Sequence, residues 1–328
     1  MDGHDKFSVV SYNVLADSII DGVVPSRSNV AIEKRYALVM KEIMHFNPDV
    51  ICLQEVEKQV FHDLLEPHLK SSNYSGIFTQ VGHTEYKTTL EWANTRLHGC
   101  ATFWRTDKFR KAKDKSFELR QSIYMNGTRQ FGMGHQLFLK DYVRKSNIVT
   151  LLMLETIDPQ KPHNELCVAN THLLANVSKT AVRTVQARAA LHCIQDFLSQ
   201  QKGKGKAPQD MPIIFAGDFN SFPGSSTYRL MKEGTVDKKD PEMKVFGEHV
   251  AKEDLQNPFS LNSLYSATIG EPPLTSNFGT VDYVWFTPNL IQPTRILQIP
   301  KVDKKLPSLE YPSDHLLLFG EFFWHNKN

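Results

Sequence analysis

The sequence lacks the long apolar runs of a membrane protein and any visible signal for secretion. No window approaches the roughly 18 apolar residues that a membrane span requires, and the most apolar stretches, 148–154 and 316–324, have the length of strands. Residues 1–6 are polar and charged. These absences predict an intracellular protein with no membrane partner, most simply cytoplasmic, with the nucleus or mitochondrion as alternatives.

Cysteine is scarce, and neither sign of charge is in large excess. The chain has 4 cysteines among 328 residues, with no Cys-x-x-Cys pair and no Cys/His cluster. We therefore expect reduced, buried and inert thiols. The net charge of +2 is too small to indicate a nucleic-acid-binding protein, although a balanced total can contain a local basic cleft. Composition thus neither supports nor excludes a polyanionic substrate.

The sequence does contain a short apolar run that ends in Gly217-Asp218-Phe219-Asn220. The run predicts a buried strand, and two-residue spacing in an extended segment places Asp218 and Asn220 on one side. A carboxylate and a carboxamide held together can take a proton from water and hold a phosphoryl oxygen. Taken alone, the pair is equally compatible with an ordinary Asx turn.

Other predicted strand ends and loops carry polar side chains in the same way. They hold Asn13, Glu55, His172, Asp282, and Asp314 with His315. Glu55 stands at the end of the nearly unbroken apolar run 49–56, which predicts a strand buried on both faces. A buried glutamate is rare unless it is paired or bound to a cation, so metal ligation is favoured over a surface turn.

Helical spacing of apolar residues predicts helices over 32–46, 61–69, 182–201 and 225–232, alternating with the strands. This alternation favours an α/β protein whose sheets are covered by helices, as one domain over 1–328. Three polar segments are predicted to lie on the surface: 82–97 as a rim loop, 110–115 as a solvated turn and 235–254 as an insertion. Arg183, near the start of the third helix, is either solvated or within reach of a substrate phosphate.

Oxygen-rich side chains that converge from several strand ends indicate a particular kind of metal site. One or two carboxylates that leave room for water and phosphate suit Mg²⁺, whereas zinc calls for more His or Cys at tighter spacing. The pattern therefore points to phosphate ester chemistry.

The motifs SYNVLAD, DVICLQEVE, ANTHLL, GDFNS, VDY and PSDH occur in this order between about residues 7 and 323. This series resembles the endonuclease/exonuclease/phosphatase superfamily. LQEVE, CVANTHL and LPSLEYPSDHLLL are most similar to its deadenylase, nocturnin, Angel and 2′,5′-oligoadenylate phosphodiesterase branch. The resemblance implies a four-layer α/β sandwich, in which two mainly antiparallel β-sheets pack face to face between helices with the site at one end.

The resemblance also implies roles for individual residues. The metal group comprises Glu55, Asn13 and Asp314, which would hold Mg²⁺ that Mn²⁺ can replace. The catalytic group comprises Asp218 to orient or deprotonate water, Asn220 to hold the phosphate, His315 oriented by Asp282 to stabilise negative charge, and His172 on the same phosphate. The substrate group comprises Phe278 as a base-stacking ring, with a packing role as the alternative, and Arg183.

The function implied is that of a Mg²⁺-dependent phosphodiesterase on adenylate-rich RNA 3′ ends, a deadenylase-like exoribonuclease that releases 5′-AMP from 3′-5′ or 2′-5′ linkages. One alternative is a phosphatase of 2′,3′-cyclic phosphate RNA ends or of the 2′-phosphate of NADP(H), a nucleotide-like small substrate. Another is a non-catalytic RNA-binding relative, which would be expected to lack a catalytic carboxylate or histidine. The leucine-rich repeats that tether some deadenylases to their complex are absent from the sequence, so we expect no such tether.

Overall fold

The computed structural model describes residues 6–19, 32–81, 98–122, 147–158, 164–176, 178–200, 207–237, 239–249, 255–302 and 305–325. Within them, twelve strands form two six-stranded sheets. In chain order the strands are β1 Lys6–Asn13, β2 Val50–Glu57, β3 Tyr74–Gln80, β4 His98–Arg105, β5 Phe109–Glu118, β6 Ile148–Thr156, β7 Glu165–His172, β8 Ile213–Asp218, β9 Asn262–Ser263, β10 Asp282–Phe286, β11 Ile291–Ile296 and β12 Leu318–Trp324.

Four helical segments with both ends among the described residues accompany these strands. They are α1 Ile32–Phe46, α2 formed by the consecutive stretches Lys58–Val60, Phe61–Leu65 and Glu66–Ser71, α3 Thr180–Ser199 and α4 Ser226–Glu233. Short 3₁₀ helices cover Pro208–Asp210 and Pro241–His249. All four predicted helices therefore form, with bounds that differ by a few residues from those expected.

The two sheets share one pattern of strand pairing. The first sheet has the order β11-β12-β1-β2-β4-β3 and the second the order β5-β6-β7-β8-β10-β9. The central pairs β1–β2 and β7–β8 are parallel, and the other pairs are antiparallel. Parallel neighbours need a crossover connection, which α1 and α3 supply. The predicted pair of mainly antiparallel sheets is confirmed.

Three apolar cores hold four layers together. One core lies between the sheets and includes Val50, Val168 and Ile214. A second packs α1 and α2 on the outer face of the first sheet, and a third packs α3 and α4 on the outer face of the second. Burial on both faces explains the apolar runs 50–53 in β2 and 213–216 in β8.

Residues 110–115, predicted as a solvated turn, lie instead inside the edge strand β5, so that prediction is wrong. The charged run forms a strand because only one of its edges is paired and most of its side chains are exposed. Lys113 and Lys115 also lie over the rings of Phe197 and Phe117, at 4.0 and 4.6 Å from the ring centroids. Lysine on an open edge is a common protection against pairing between molecules.

The predicted surface insertion at 235–254 is wrong in part. Its described residues include Val236, Met243 and Phe246, which are buried in the core beneath α3 and α4. These apolar residues are unevenly spaced because a 3₁₀ helix carries two of them, so no α-helical or strand period is visible. The strands β9 and β11 were not predicted from the sequence. β9 has only two residues, and β11 is an edge strand that contains Pro293.

Two expectations about composition can be checked directly. All four cysteines are free and buried, as predicted. Across the part of the chain that the structure describes, no helix has both the length and the apolarity to cross a bilayer. The predicted rim loop at 82–97 lies outside the described residues.

Candidate active site

The carboxyl ends of the two parallel strand pairs meet at one end of the sandwich. Asn13 lies at the end of β1 and Asp218 at the end of β8, and Asn13 Nδ2 donates to Asp218 Oδ2 at a distance of 3.1 Å. His172 at the end of β7 lies with Nδ1 4.0 Å from Oε1 of Glu55 in β2. Asp282 begins β10 directly opposite Asp218. The structure thus brings together side chains that the sequence places on separate strands.

Glu55 reaches this site through a local departure from regular strand geometry. The pairing of β2 with β4 shifts between Leu53 and Val56, and Glu55 has a left-handed φ of 58°. Its Oε1 accepts from Asn13 Nδ2 at 3.1 Å and its Oε2 from Ala16 N at 3.0 Å. Burial raises the pKa of Glu55, but the charge of His172 and the Asn13 hydrogen bond outweigh it, so the net pKa is lowered. The site therefore contains a buried carboxylate in its ionised form.

The turn after β8 fixes Asp218 and Asn220. Gly217 has φ 149°, and a Cβ there would stand 2.0 Å from Thr171 O, so the close approach requires glycine. Asn220 has φ 49° and donates its backbone N–H to Oδ1 of Asp218 at 2.8 Å. Its side-chain Nδ2 donates to Leu173 O at 3.0 Å, which leaves the second N–H of that amide for another acceptor. Asp218 and Asn220 therefore do form the Asx turn that was considered as the alternative, and this turn holds the two side chains in place.

Oδ2 of Asp218 is the atom on which the site converges. Besides Asn13 Nδ2, it has His172 Nε2 at 3.5 Å and His315 Nε2 at 3.7 Å. Asn13 meanwhile uses its own Oδ1 to accept from Leu15 N at 3.0 Å. The amide of Asn13 therefore bridges two carboxylates with its nitrogen, and its oxygen is turned away from them, which differs from the metal ligand expected of it.

His315 and Asp282 form the tightest pair in the site. His315 Nδ1 lies 2.9 Å from Asp282 Oδ2, which also accepts from Thr275 Oγ1 at 2.6 Å. Burial lowers the pKa of His315, but the carboxylates of Asp282 and Asp218 outweigh it and raise the pKa well above its ordinary value. Burial raises the pKa of Asp282 to about 6, against the opposing effect of His315. The proton of this pair therefore resides on His315 at neutral pH, and its Nε2–H points toward Asp218.

Asp314 supplies a further carboxylate with an unsatisfied atom. Its side chain is buried, and Oδ1 has no hydrogen-bond partner among the described residues. Burial raises its pKa, and the charge of Glu55 adds to that effect, while His315 opposes it. A buried carboxylate oxygen without a donor, near a second carboxylate, suits a cation.

Among the described residues, one group of three side chains places its ligand atoms close enough together to hold a metal ion. One ligand atom each from Asp218, Asp282 and His315 lies within 4.8 Å of the others. The His315–Asp282 hydrogen bond and the protonated imidazole oppose a cation between those two residues. The metal roles expected of Glu55 and Asp314 stay predictions. This end of the sandwich therefore contains a buried group of carboxylate and imidazole side chains, the kinds of ligand that a metal ion can bind.

Arg183 is placed differently from the substrate contact expected of it. The side chain is buried, with Nε donating to Ser221 Oγ at 3.2 Å and NH1 to the carbonyl oxygens of Leu174 and Asn176. Its guanidinium therefore ties the turn after His172 to the turn after Asp218. The sequence shows that Arg183 lies near the start of α3 but not that this face of the helix is buried.

Two aromatic rings near the site are exposed. Phe278, the predicted stacking residue, is 64% exposed, and Phe222 is 46% exposed. The ring of Phe222 lies close to Gly279: a Cβ added to Gly279 would stand 3.1 Å from Cε1 of that ring. Such exposure disfavours the alternative that Phe278 is a packing residue, since large apolar side chains in a core are covered.

Several supporting residues were not identified from the sequence. Thr275 orients Asp282, and Asn147 Nδ2 donates to His172 O at 2.8 Å. Gln186 in turn holds Asn147 through Nε2 at 2.9 Å. Gln186 follows Arg183 by three residues and so shares its helix face, which is a weak signal. Thr275 begins a turn-forming Thr-Ser-Asn-Phe-Gly segment, and its composition does not distinguish a supporting role from an ordinary turn.

Comparison with known proteins gives one family. A sequence profile described as the Endonuclease/Exonuclease/phosphatase family matches residues 10–135 and 194–315. The chain is 28% identical over 341 residues to the CCR4-Not complex 3′-5′-exoribonuclease subunit Ccr4 of Debaryomyces hansenii, covering 98% of this chain and 39% of that protein. It is 28% identical over 337 residues to mouse 2′,5′-phosphodiesterase 12, covering 96% of this chain and 51% of that protein.

A solved structure has the same architecture. The structure of ANGEL2, described as a 2′,3′-cyclic phosphatase, in complex with adenosine-2′,3′-vanadate aligns with a TM-score of 0.75 and 26% identity, over 97% of this chain and 95% of that chain. The present chain spans 39% and 51% of the two curated relatives above.

Proposed function

Because the chain belongs to the Endonuclease/Exonuclease/phosphatase family, we propose that it is a metal-dependent phosphodiesterase that removes nucleotides from RNA 3′ ends. Residues 1–328 would form one catalytic domain, and the preferred substrate would be adenylate-rich. The relatives named 3′-5′-exoribonuclease and 2′,5′-phosphodiesterase support this assignment. The intracellular, cytoplasmic location stays a prediction.

The observation that carries the proposal is the surroundings of Asp218 Oδ2. An amide nitrogen from β1 and imidazole nitrogens of His172 and His315 lie 3.1, 3.5 and 3.7 Å from that oxygen. The two imidazole distances exceed an ordinary hydrogen bond, so these nitrogens are not fully committed to the carboxylate. A base and a set of donors around one point are what hydrolysis of a phosphate ester requires.

In the proposed reaction, Asp218 orients a water molecule and takes its proton. The water oxygen forms a bond to phosphorus, and the bond between phosphorus and the 3′ oxygen of the preceding nucleotide breaks. That oxygen leaves with the bonding electrons and takes a proton from solvent water, and a nucleoside 5′-monophosphate is released. Asn220 would hold a phosphoryl oxygen through its remaining N–H. The backbone N–H of Asn220 holds Asp218 Oδ1, so the base keeps one orientation during proton transfer.

Histidines would stabilise the charge that develops on the phosphoryl oxygens. His315 carries the proton of its pair with Asp282, and its Nε2–H faces the centre of the site. His172 would donate to the same phosphate from the other side of Asp218. Donors fixed in advance at such points are typically worth roughly 10²–10³ in rate each.

The residues that would hold the metal are Glu55 and Asp314, with Asn13 orienting Glu55. We propose Mg²⁺ as the ion, with Mn²⁺ able to replace it, because the donors are carboxylate oxygens. A bound divalent ion would neutralise negative charge on the phosphoryl group.

Product analysis on a small substrate panel tests the activity. We expect 5′-AMP from 3′-5′ linked oligo(A) or from 2′,5′-linked oligo(A). A 2′,3′-cyclic phosphate RNA and NADPH complete the panel, because similarity to ANGEL2 favours a phosphatase as the second candidate. Turnover of the cyclic phosphate or of NADPH alone, with no 5′-AMP from either oligonucleotide, would replace the exonuclease by the phosphatase.

Replacing the exposed ring of Phe278 should weaken cleavage of oligo(A) specifically. Stacking on an aromatic ring contributes roughly 1–3 kcal/mol per base, so Phe278→Ala should lower kcat/KM for oligo(A) by about ten- to a hundredfold. A small phosphodiester that has no base should be hydrolysed at nearly the same rate. The measurement is a pair of kcat/KM values for each protein.

Phe278→Tyr provides the matched control, since it keeps an aromatic face and should keep most of the activity on oligo(A). Equal decline on both substrates in Phe278→Ala, together with a lower melting temperature, would assign the ring to packing and remove it from the substrate site.

Breaking the His315–Asp282 pair should lower both the rate and the pKa of His315. In Asp282→Asn the carboxylate that raises the pKa of His315 is lost, so the imidazole should deprotonate at lower pH and a smaller fraction should be charged at neutral pH. The loss of kcat/KM should approach the roughly 10²–10³ associated with one such donor. NMR titration of His315 in metal-free protein measures the pKa directly, and an unchanged value would contradict the proposed pairing.

A further inference from the structure

The bulge in β2 determines where the Glu55 carboxylate points. From Leu53 to Val56 the strand advances three residues, while its partner β4 advances two, from Ala101 to Gly99. Leu53 and Val56 both pack in the core outside the first sheet, so the extra residue has shifted the alternation of faces by one. Glu55, within this bulge, has the left-handed backbone conformation, with φ 58°.

A buried amide from the opposite sheet holds this bulge. Asn170 in β7 is fully buried, and its Nδ2 lies 3.1 Å from Leu53 O, 3.0 Å from Ala101 O and 3.2 Å from Thr102 Oγ1. The two carbonyl oxygens flank the bulge on β2 and β4. With a donor between them, these groups are satisfied where the regular pairing of the strands is interrupted.

The same amide is tied to the residue that precedes Glu55. Asn170 Oδ1 accepts from Gln54 Nε2 at 2.9 Å, and both side chains are completely buried between the sheets. Gln54 Oε1 has no hydrogen-bond partner among the described residues. Gln54 Nε2 also donates to Cys52 O at 3.2 Å, and its contact with Asn170 is the shorter of the two. This contact links β7 to the bulge at a second point.

We propose that Asn170 is a positioning residue for the metal site. It keeps the β2 bulge in the form that turns Glu55 into the site, through Leu53, Ala101 and Gln54, and it touches neither substrate nor metal itself. The inference rests on the proposed function in one respect, namely that Glu55 is a metal ligand.

The test compares Asn170→Leu with Thr171→Val. Leucine is similar in size to asparagine and cannot donate to the bulge carbonyls. Thr171 is equally buried in the same strand and donates to Ile148 O at 2.6 Å, so its loss costs a hydrogen bond of the same kind away from the bulge. Titration with Mn²⁺, followed by the electron paramagnetic resonance signal of the free ion, measures metal affinity without any turnover.

We expect Asn170→Leu to raise the Mn²⁺ Kd by roughly 10- to 100-fold, the usual effect of removing a group that orients a metal ligand. Thr171→Val should leave the Mn²⁺ Kd unchanged, even if the two substitutions lower the melting temperature by similar amounts. An Asn170→Leu Kd within twofold of the wild-type value overturns the proposal. Should Asn170→Leu fail to fold, Gln54→Met tests the other end of the contact, because it removes the Nε2 donor to Asn170 Oδ1. We expect it too to raise the Mn²⁺ Kd, and a Kd within twofold of the wild-type value overturns the proposal.

A crystal structure of the folded variant gives a readout that needs no metal. Glu55 should leave the left-handed region, whereas an unchanged φ near 58° overturns the proposal. Wild-type protein that turns over no substrate on the panel would refute the proposed function but leave these binding and structural comparisons valid. Wild-type protein that hydrolyses oligo(A), with equal Kd in all variants, would refute only the role of Asn170.

Discussion

Removal of divalent metal with EDTA should abolish hydrolysis of every substrate, and addition of Mg²⁺ or Mn²⁺ should restore it. The physical reason is the charge at the site: Glu55 is buried and ionised, and Asp314 is buried with one oxygen that has no hydrogen-bond partner among the described residues. A phosphate group brings further negative charge to these carboxylates, and a cation is needed to offset the repulsion. Initial rates after dialysis against chelator, and after stepwise addition of Mg²⁺, measure the effect.

A pair of glutamate variants refines this experiment. Glu55→Gln keeps the shape of the side chain and loses its charge, so it should require a much higher Mg²⁺ concentration for half-maximal rate. Glu57→Gln is the matched control, since Glu57 is buried in the same strand and accepts from Ser18 N at 2.8 Å outside the site. Undiminished turnover in chelator would contradict the metal requirement, and normal Mg²⁺ dependence in Glu55→Gln would mean that another residue holds the ion.

Asp218→Asn should lower kcat by roughly 10²–10⁴, the range associated with loss of a general base. Asparagine can still accept from the Asn220 backbone, so the turn should persist, but it cannot take a proton from water. The substitution also removes the charge on which Asn13, His172 and His315 converge. Kinetics at saturating substrate and metal separate this loss from weaker binding.

Asp49→Asn is a suitable control for Asp218→Asn. Asp49 is buried at the opposite end of β2, where its carboxylate accepts from Ser8 N and pairs with Lys108 Nζ, both at 2.8 Å. Its replacement should lower the melting temperature and leave kcat near the wild-type value. Equal loss of kcat in the two variants would indicate a general effect on folding and would contradict the base role of Asp218.

The strand ends could be predicted because they combine two strong local signals. An apolar run that stops at a polar residue, as at Asn13 and Asp218, indicates both a buried strand and its terminus. The alternation of helices and strands gave the layers in the same way. Such patterns give the position of a side chain along a strand and not its hydrogen-bond partners. That Asn13 Nδ2 donates to both Glu55 and Asp218 is therefore visible only in the folded chain.

Other features were not predictable because they depend on contacts between distant segments. The bulge at Glu55 follows from three residues facing two across a strand pair, which no single strand reveals. Polar and apolar residues are mixed in the helix around Arg183, so its burial cannot be deduced from the helix alone. The turns that pack on α3 bury it. The strand at 110–115 forms from charged residues because its neighbour β6 supplies the pairing, which overrides local preference.

The arrangement of one parallel strand pair at the centre of each sheet has a consequence for how activity is acquired during folding. Each sheet contributes only part of the polar group, and Asn13 and Asp218, which join the parts, are 205 residues apart in the chain. Contacts of such long range form late and slowly compared with local ones. The first sheet is itself completed by a pairing of still longer range, β1 with β12, in which Lys6 stands opposite Phe323. The polar group is therefore complete only after both the sheets and their docking have formed. Recovery of turnover after dilution from denaturant should therefore lag behind the recovery of helix content measured by circular dichroism, since helices depend mainly on local contacts.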